Sequence, residues 1–230
     1  MTLPHETLSE KVKQAILERV IDGTYPPGTR LVELHLAREF GVSQGPVREA
    51  LRELVATRLV ETTPRRGTFV RVASQEDLAE VYLVRMALEE TAGRYAVEAL
   101  HADRSPLWQA LARMRAAADQ GDVRGFVRGS VAFHRAVVVA TGNRLLLEIW
   151  DSLLLEVRTT ATVVRGHVDL HAAAESHVPI VAAFERGDGE ACARLLGDHQ
   201  QQYLKLPQDE TPGIVGAACG ADLSRSRAGR

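Results

Sequence analysis

Six of the eight histidines, His101, His134, His167, His171, His177 and His199, lie beyond residue 100. Neutral imidazole is the commonest protein ligand for divalent transition metals, so a subset gathered by folding would make a metal centre; a lone histidine on a helix more often serves structure or surface. A second set of polar residues lies near the N-terminus. Gln44, Arg48 and Arg52 recur at four-residue spacing, and Arg65 and Arg66 follow in the stretch Pro64-Arg65-Arg66-Gly67. Gln can read adenine and Arg guanine through paired hydrogen bonds, and Arg also takes phosphate, so these side chains on one surface would supply what duplex recognition requires. A third set is Arg85 with Glu89, two charges within the apolar stripe Leu78, Val81, Tyr82, Leu88 and Ala92. Charges on such a stripe are costly unless paired, so they either bridge each other, the preferred reading, or serve a cavity or dimer interface, where Arg85 could clamp a carboxylate. Arg158 and Arg165 are further cavity candidates whose facing the spacing leaves open. Cys192, among Ala191, Leu195 and Leu196, reads as a buried small hydrophobe, and Trp108 and Trp150 as packing residues.

Helices must position most of these groups. Aromatic content is 5%, Ala and Leu are frequent, and apolar residues recur every three to four positions through most of the chain. The spacing predicts helices over about 9–22, 32–40 and 43–57, the last capped by Ser43 and carrying Val47, Leu51, Leu54 and Val55 inward, with Gln44, Arg48 and Arg52 outward. From Leu59 to Val72, β-branched residues flank the Pro-Arg-Arg-Gly stretch, as in a hairpin with a basic tip. Three helices followed by a hairpin are the plan of a winged helix-turn-helix, whose third helix enters the major groove. After the connection 73–75, Ser74 and Asp77 predict a capping box opening a helix to about Leu100. Five more helices follow at about 103–120, 122–141, 144–166, 172–186 and 189–205, giving a six-helix, all-α unit. The expected division is therefore 1–73, 74–207 and a tail at 208–230 rich in Gly, Ala, Ser and Arg.

Composition narrows the function classes. Lys+Arg 28 against Asp+Glu 30 excludes indiscriminate DNA coating, so any DNA binding must be local and dimer-dependent. Residues 1–72 hold 11 basic against 9 acidic side chains, or +2, and the remainder 17 against 21, or −4. Two cysteines, Cys192 and Cys219, make no disulfide framework, and no apolar run reaches the roughly 18 residues of a membrane span, so a cytoplasmic protein is expected.

The stretch YPPGTRLVELHLAREFGVSQGPVREALRELVATRLVETTPRRGTFV resembles the DNA-binding domain of GntR-type bacterial transcription regulators. The resemblance covers most of residues 8–72 and implies contacts to operator DNA from Ser43, Gln44, Arg48, Arg65, Arg66 and Gly67. Arg52 joins them by its place on the outward face. The family commonly has Arg where this chain has Gln44, and often a basic residue where it has Leu34, which implies an altered half-site.

The segments FHRAVVVATGNRLLLEIW and SHVPIVAAFERGDGEACARLLGDHQQQYL resemble the FCD ligand-binding domain of the FadR-like subgroup, in its six-helix VanR-type form. The resemblance implies a divalent metal held by His134, His177 and His199, with Ser130 where many such domains have Asp. A neutral three-histidine set favours Zn²⁺ or Ni²⁺ over Mg²⁺ or Ca²⁺. Without the Asp, a water or an anionic effector must complete the shell, so metal and effector would bind with positive coupling. Arg85 and Arg158 are the expected effector contacts, the effector a small organic acid and the protein a homodimer. The expected function is a DNA-binding repressor. The competing reading is a metal-dependent hydrolase with an appended interaction domain; it requires a general base beside an open metal position, and no His-Glu-x-x-His arrangement is present.

Overall fold

The computed structural model describes residues 7–204. Thr7 opens helix α1 (Leu8–Ile21) through a capping box: its hydroxyl accepts from Glu10 N–H, and the Glu10 carboxylate accepts from Thr7 N–H. This satisfies two amides the first turn would otherwise leave bare. Helix α2 (Glu33–Phe40) stops at Gly41, whose φ of 66° is the left-handed conformation that ends helices. Helix α3 (Gln44–Ala56) follows with Ser43 in the capping position, although the Ser43 hydroxyl makes no cap hydrogen bond. The inward face of α3 is Val47, Ala50, Leu51 and Leu54; Val55, expected inside, is 37% exposed. Ala50 takes that place because it lies one turn from Val47 and Leu54.

The hairpin comprises β2 (Val60–Thr63) and β3 (Gly67–Val70), with Thr62 opposite Thr68. A strand of two residues, β1 (Arg30–Leu31), pairs with the other edge of β3, so the antiparallel order is β1-β3-β2. Two residues are too few to show a period, and this strand was not expected from the sequence. Arg65 (φ 63°) and Gly67 (φ 110°) turn the wing through left-handed backbone.

Beyond residue 74 there are nine helical segments among the described residues: α4 (Gln75–Tyr95), α5 (Val97–Ala102), α6 (Ser105–Asp119), α7 (Val123–Ala140), α8 (Arg144–Ser152), α9 (Leu155–Arg165), α10 (Leu170–Glu175), α11 (Val178–Arg186) and α12 (Gly189–Leu204). The expected six become nine because three of them break. The helix from Ser74 breaks at Ala96, that over 144–166 at Leu154 (φ 49°), and that over 172–186 just before Pro179, which falls in the first turn of α11. Apolar spacing continues across each corner, so the pattern does not reveal the bend. Proline has no amide to donate and clashes with a preceding turn, which forces the last break. The capping box of Ser74 and Asp77 is formed. The tail expected at 208–230 lies outside the described residues.

Two cores result. One gathers Val12, Ile16, Leu36, Val47, Leu51 and Leu54, and Leu154 and Val157 of the α8–α9 corner pack against it. The other lies among α4, α6, α7, α11 and α12 and includes Leu107, Met114, Phe133, Val137, Phe184 and Leu196. Helix α4 runs along α12, and Gly93 permits their approach. A Cβ on Gly93 would lie 2.8 Å from Ala193 N.

Candidate metal centre and nucleic-acid interface

His134 lies on the inward face of α7 with Phe126, Ser130, Phe133 and Val137; His177 sits at the corner between α10 and α11, and His199 on α12. These three elements bring the imidazoles together in the second core. All three are buried, each offers one ring nitrogen, and these atoms lie within 4.8 Å of one another. The His177 and His199 ring centroids are 4.3 Å apart, and His134 lies 5.0 Å from His199 and 5.2 Å from His177. Ser130 is buried one turn before His134, and its hydroxyl brings no charge.

A carboxylate reaches the centre from another helix. Glu89 of α4, fully buried, places Oε2 2.9 Å from His134 Nδ1. Its oxygens accept four hydrogen bonds: Arg85 Nε (2.7 Å) and Trp150 Nε1 (3.0 Å) on Oε1, His134 Nδ1 and Gln200 Nε2 (2.8 Å) on Oε2. Burial opposes the charge of Glu89, yet Arg85 and His134 outweigh it and hold the carboxyl at about 2. The expected Arg85–Glu89 ion pair is therefore formed, with a further role that the sequence did not reveal. Trp150 packs, as expected, and also donates to this carboxylate.

At His134 and His177, hydrogen bonds at Nδ1 set the tautomer, which leaves Nε2 for coordination. His134 Nδ1–H goes to Glu89. His177 Nδ1 lies 2.9 Å from Ala173 O, a carbonyl that can only accept, so Nδ1 carries the proton and Nε2 is a bare lone pair. His199 Nδ1 lies 3.3 Å from Ser176 Oγ and 3.2 Å from Gln202 Nε2, an amide nitrogen that donates. Burial pushes His177 down to about 3, lowers His134 against the pull of Glu89, and holds His199 well below the usual histidine value. The centre thus holds three neutral nitrogen donors and one ordered carboxylate. That donor set suits Zn²⁺ or Ni²⁺.

Among the described residues, Tyr82 Oη, Arg85 Nη2, His177 Nε2 and Gln200 Oε1 are buried side-chain polar atoms without a hydrogen-bond partner. Unmet buried donors and acceptors are costly, so atoms of this kind point to a ligand or water. Arg85 lies over the Tyr82 ring, which stacks with Tyr203 at 6.0 Å, and Tyr203 meets His199 edge-on at 5.5 Å. Arg158, by contrast, is not at this centre. It donates to Thr57 O at 2.7 Å and to Leu153 O, between α9 and the end of α3. Arg165 is also elsewhere, donating to Ala73 O at 2.8 Å. Gln200 and Tyr203 gave no sequence signal beyond their place one and four residues after His199.

On the N-terminal unit, Ser43, Gln44, Arg48 and Arg52 are exposed along α3, and Arg65 and Arg66 are exposed at the wing tip beside Gly67. Arg48 is not free: its Nη2 pairs with Glu33 Oε2 of α2 at 2.9 Å. This pair raises the Arg48 guanidinium's already high pKa.

Residues 8–70 match the family described as "Bacterial regulatory proteins, gntR family", and residues 80–202 match the FCD domain. A curated relative from Paenarthrobacter nicotinovorans, named "Probable D-xylose utilization operon transcriptional repressor", is 37% identical over 94% of this chain and 95% of its own length. The chain belongs to the GntR family. Among solved structures, Escherichia coli McbR/YncC superposes with a TM-score of 0.72 at 27% identity, covering 85% of this chain and 94% of that one. A GntR regulator from Rhodococcus sp. RHA1 gives 0.72 at 27% identity, covering 87% and 99%. A GntR-family, FCD-containing chain is a transcription regulator, which sets aside the hydrolase reading. In GntR terms, the two departures expected from the sequence lie on the surface: Gln44 is exposed at the start of α3, and Leu34 is 42% exposed on α2.

Proposed function

We propose that this GntR regulator is a cytoplasmic homodimeric repressor whose affinity for operator DNA is set by a small organic acid and a divalent metal in the FCD centre. Residues 1–73 read DNA, and residues 74–207 bind the effector and pair the subunits. The observation that carries this reading is the buried cluster of three histidine nitrogens beside the unpartnered Arg85 Nη2 and Tyr82 Oη. Donors left bare next to a metal-binding set fit the carboxylate of an effector. The name of the Paenarthrobacter relative supports repression. Exposed Leu83 and Val84 of α4, with Leu145 and Ile149 of the adjoining α8, offer an apolar surface for a second copy.

His134, His177 and His199 would hold Zn²⁺ or Ni²⁺, and the ion would supply positive charge and an open position for an effector oxygen. Glu89 orients His134 and offsets part of the ion's charge, a task the resemblance gives to the Asp that Ser130 replaces. Arg85 touches both ends of the relay: its Nε holds Glu89, and its Nη1 lies 3.4 Å from Thr159 Oγ1 on α9. The preceding residue, Arg158, holds the carbonyl of Thr57 at the end of α3. An effector that moves Arg85 thereby biases the helix that reads DNA.

The decisive experiment selects a duplex from a random pool, then measures its binding by fluorescence anisotropy with the metal-loaded and the chelated protein across a panel of small organic acids. The expected result is at least one acid that weakens DNA binding more strongly in the metal-loaded form. Failure to enrich any duplex, or Zn²⁺ and Ni²⁺ titrations that leave the melting temperature unmoved, would overturn the corresponding half of the proposal.

A further inference from the structure

Between the N-terminal unit and α9 lies a small cavity, about 60 Å³, walled by Val20, Leu59 and Val70 on one side and by Leu78, Val157 and Arg158 on the other. That volume is on the order of a few water molecules. Four arginines line it: Arg58, Arg71, Arg158 and Arg165. Two are neutralised locally, Arg58 by Glu80 at 2.8 Å and Arg71 by Asp77 at 2.8 Å. The other two have no carboxylate partner among the described residues. Arg158 and Arg165 spend donors on the neutral carbonyls of Thr57, Leu153 and Ala73. A guanidinium has five N–H groups, so donors remain on each. Four arginines thus share the two carboxylates Asp77 and Glu80, and the excess of half-buried positive charge beside an apolar wall makes the environment amphipathic. Burial lowers the Arg158 pKa against the attraction of Asp77, with smaller repulsions from Arg71 and Arg58.

We propose that this cleft is a second ligand site, separate from the histidine centre, for a short aliphatic carboxylate. The carboxylate takes the free N–H groups of Arg158 within the field of Arg58, Arg71 and Arg165. Its few carbons lie on Val20, Leu59 and Val70. The guanidinium fork matches carboxylate and phosphate alike, but the apolar wall of Val20, Leu59 and Val70 favours an anion whose carbons cover it over an inorganic one. Because both units wall the cavity, an occupant binds only when they are docked and so favours that arrangement. Arg158 also holds the end of α3 through Thr57, so occupancy fixes the recognition helix relative to α9 without involving the metal centre.

The test uses the full chain in the presence of chelator, with propionate as probe and inorganic phosphate as comparison, followed by calorimetry and thermal shift. Propionate is expected to raise the melting temperature of the wild type and of His177→Gln to the same extent, and phosphate to raise neither. Arg158→Gln should weaken propionate binding about tenfold or more, and Arg165→Gln about threefold, as expected for loss of a direct and of a more distant cation. Arg165→Gln keeps the test open if Arg158→Gln fails to fold. Propionate affinity unchanged in Arg165→Gln and in any folded Arg158→Gln, lost in His177→Gln, or matched by phosphate would each overturn the assignment.

Discussion

Glu89 Oε2 lies 2.9 Å from His134 Nδ1, so the carboxylate beside the three-histidine cluster reaches it through a histidine and comes from α4, a helix that carries none of the three imidazoles. Outer carboxylates of this kind fix the histidine tautomer and raise its basicity. Glu89→Gln should therefore weaken Zn²⁺ or Ni²⁺ binding by about 10–100-fold. It also strands Arg85, which is 2% exposed, and a buried charge left unpaired costs about 3–5 kcal/mol. Metal titration alongside denaturant unfolding separates the two effects. Unchanged metal affinity in a folded variant would remove Glu89 from the centre.

Acid should destabilise the metal-free protein at unusually mild pH. His177 is pushed down to about 3 and His199 also lies well below the usual histidine value, both chiefly by burial. In the unfolded chain each titrates near about 6.5. Below that pH the unfolded state binds more protons than the native one, so stability is full above about 6.5 and falls as the pH drops towards the folded values. Each histidine adds a slope of up to about 1.4 kcal/mol per pH unit. Glu89, held at about 2, keeps its charge across this window and adds nothing to the slope until the pH reaches the carboxylate range. Melting temperature measured with chelator from pH 7.5 to 5 should fall steeply, and less so in His199→Gln. A flat profile would mean the imidazoles are not neutral in the folded chain.

The Glu33–Arg48 pair sits on the face expected to meet DNA. It is largely solvent-exposed and so stabilises the fold little, but Arg48 must leave Glu33 to reach a base or phosphate. Glu33→Gln should thus raise operator affinity several-fold, whereas Arg48→Ala should lower it by about 1–3 kcal/mol if Arg48 reads a base. Removing a phosphate contact at Arg65 or Arg66 should reduce the salt slope by about 0.9. Anisotropy titrations at several salt concentrations check all three; an unaltered affinity in Glu33→Gln would show that the pair does not hold Arg48 back.

Much of the N-terminal unit was legible because its signals are local: Gly41 stops α2, the Pro-Arg-Arg-Gly turn makes the wing, and Val47, Leu51 and Leu54 keep one helical face. The corners at Ala96 and Leu154 were not, since each interrupts a stripe whose period continues on both sides. The histidines of the centre came from a resemblance to a family, and nothing in their own spacing joins His134 to His177. Glu89 stood out as a charge on an apolar stripe. That it meets His134 depends on α4 packing beside α7, a contact between elements distant in sequence. The facing of Arg158 was left open for the same reason: beyond the bend at Leu154 its side chain reaches Thr57 and lines the cavity beside α9, apart from the imidazoles.

The packing of α4 on α12 sets the distance between the two halves of the centre, which gives a last prediction. Helix α4 brings Arg85 and Glu89, and α12 brings His199 and Gln200, joined by the Gln200 Nε2 to Glu89 bond of 2.8 Å. One turn beyond Glu89, Gly93 faces the backbone of α12, where a Cβ would lie 2.8 Å from Ala193 N and 3.0 Å from its Cα. Backbone cannot rotate aside as a side chain can, so Gly93→Ala must part the helices. Ala is otherwise better by about 1 kcal/mol than Gly in a helix, so any net loss measures the clash. We expect a destabilisation of about 1–3 kcal/mol, as for an overpacked core. Because Glu89 and Gln200 move apart with the helices, metal affinity should fall together with stability, although residue 93 touches no ligand. Urea unfolding and Zn²⁺ titration of the same variant check this, and a stabilised protein with wild-type metal binding would show that the interface yields without disturbing the centre.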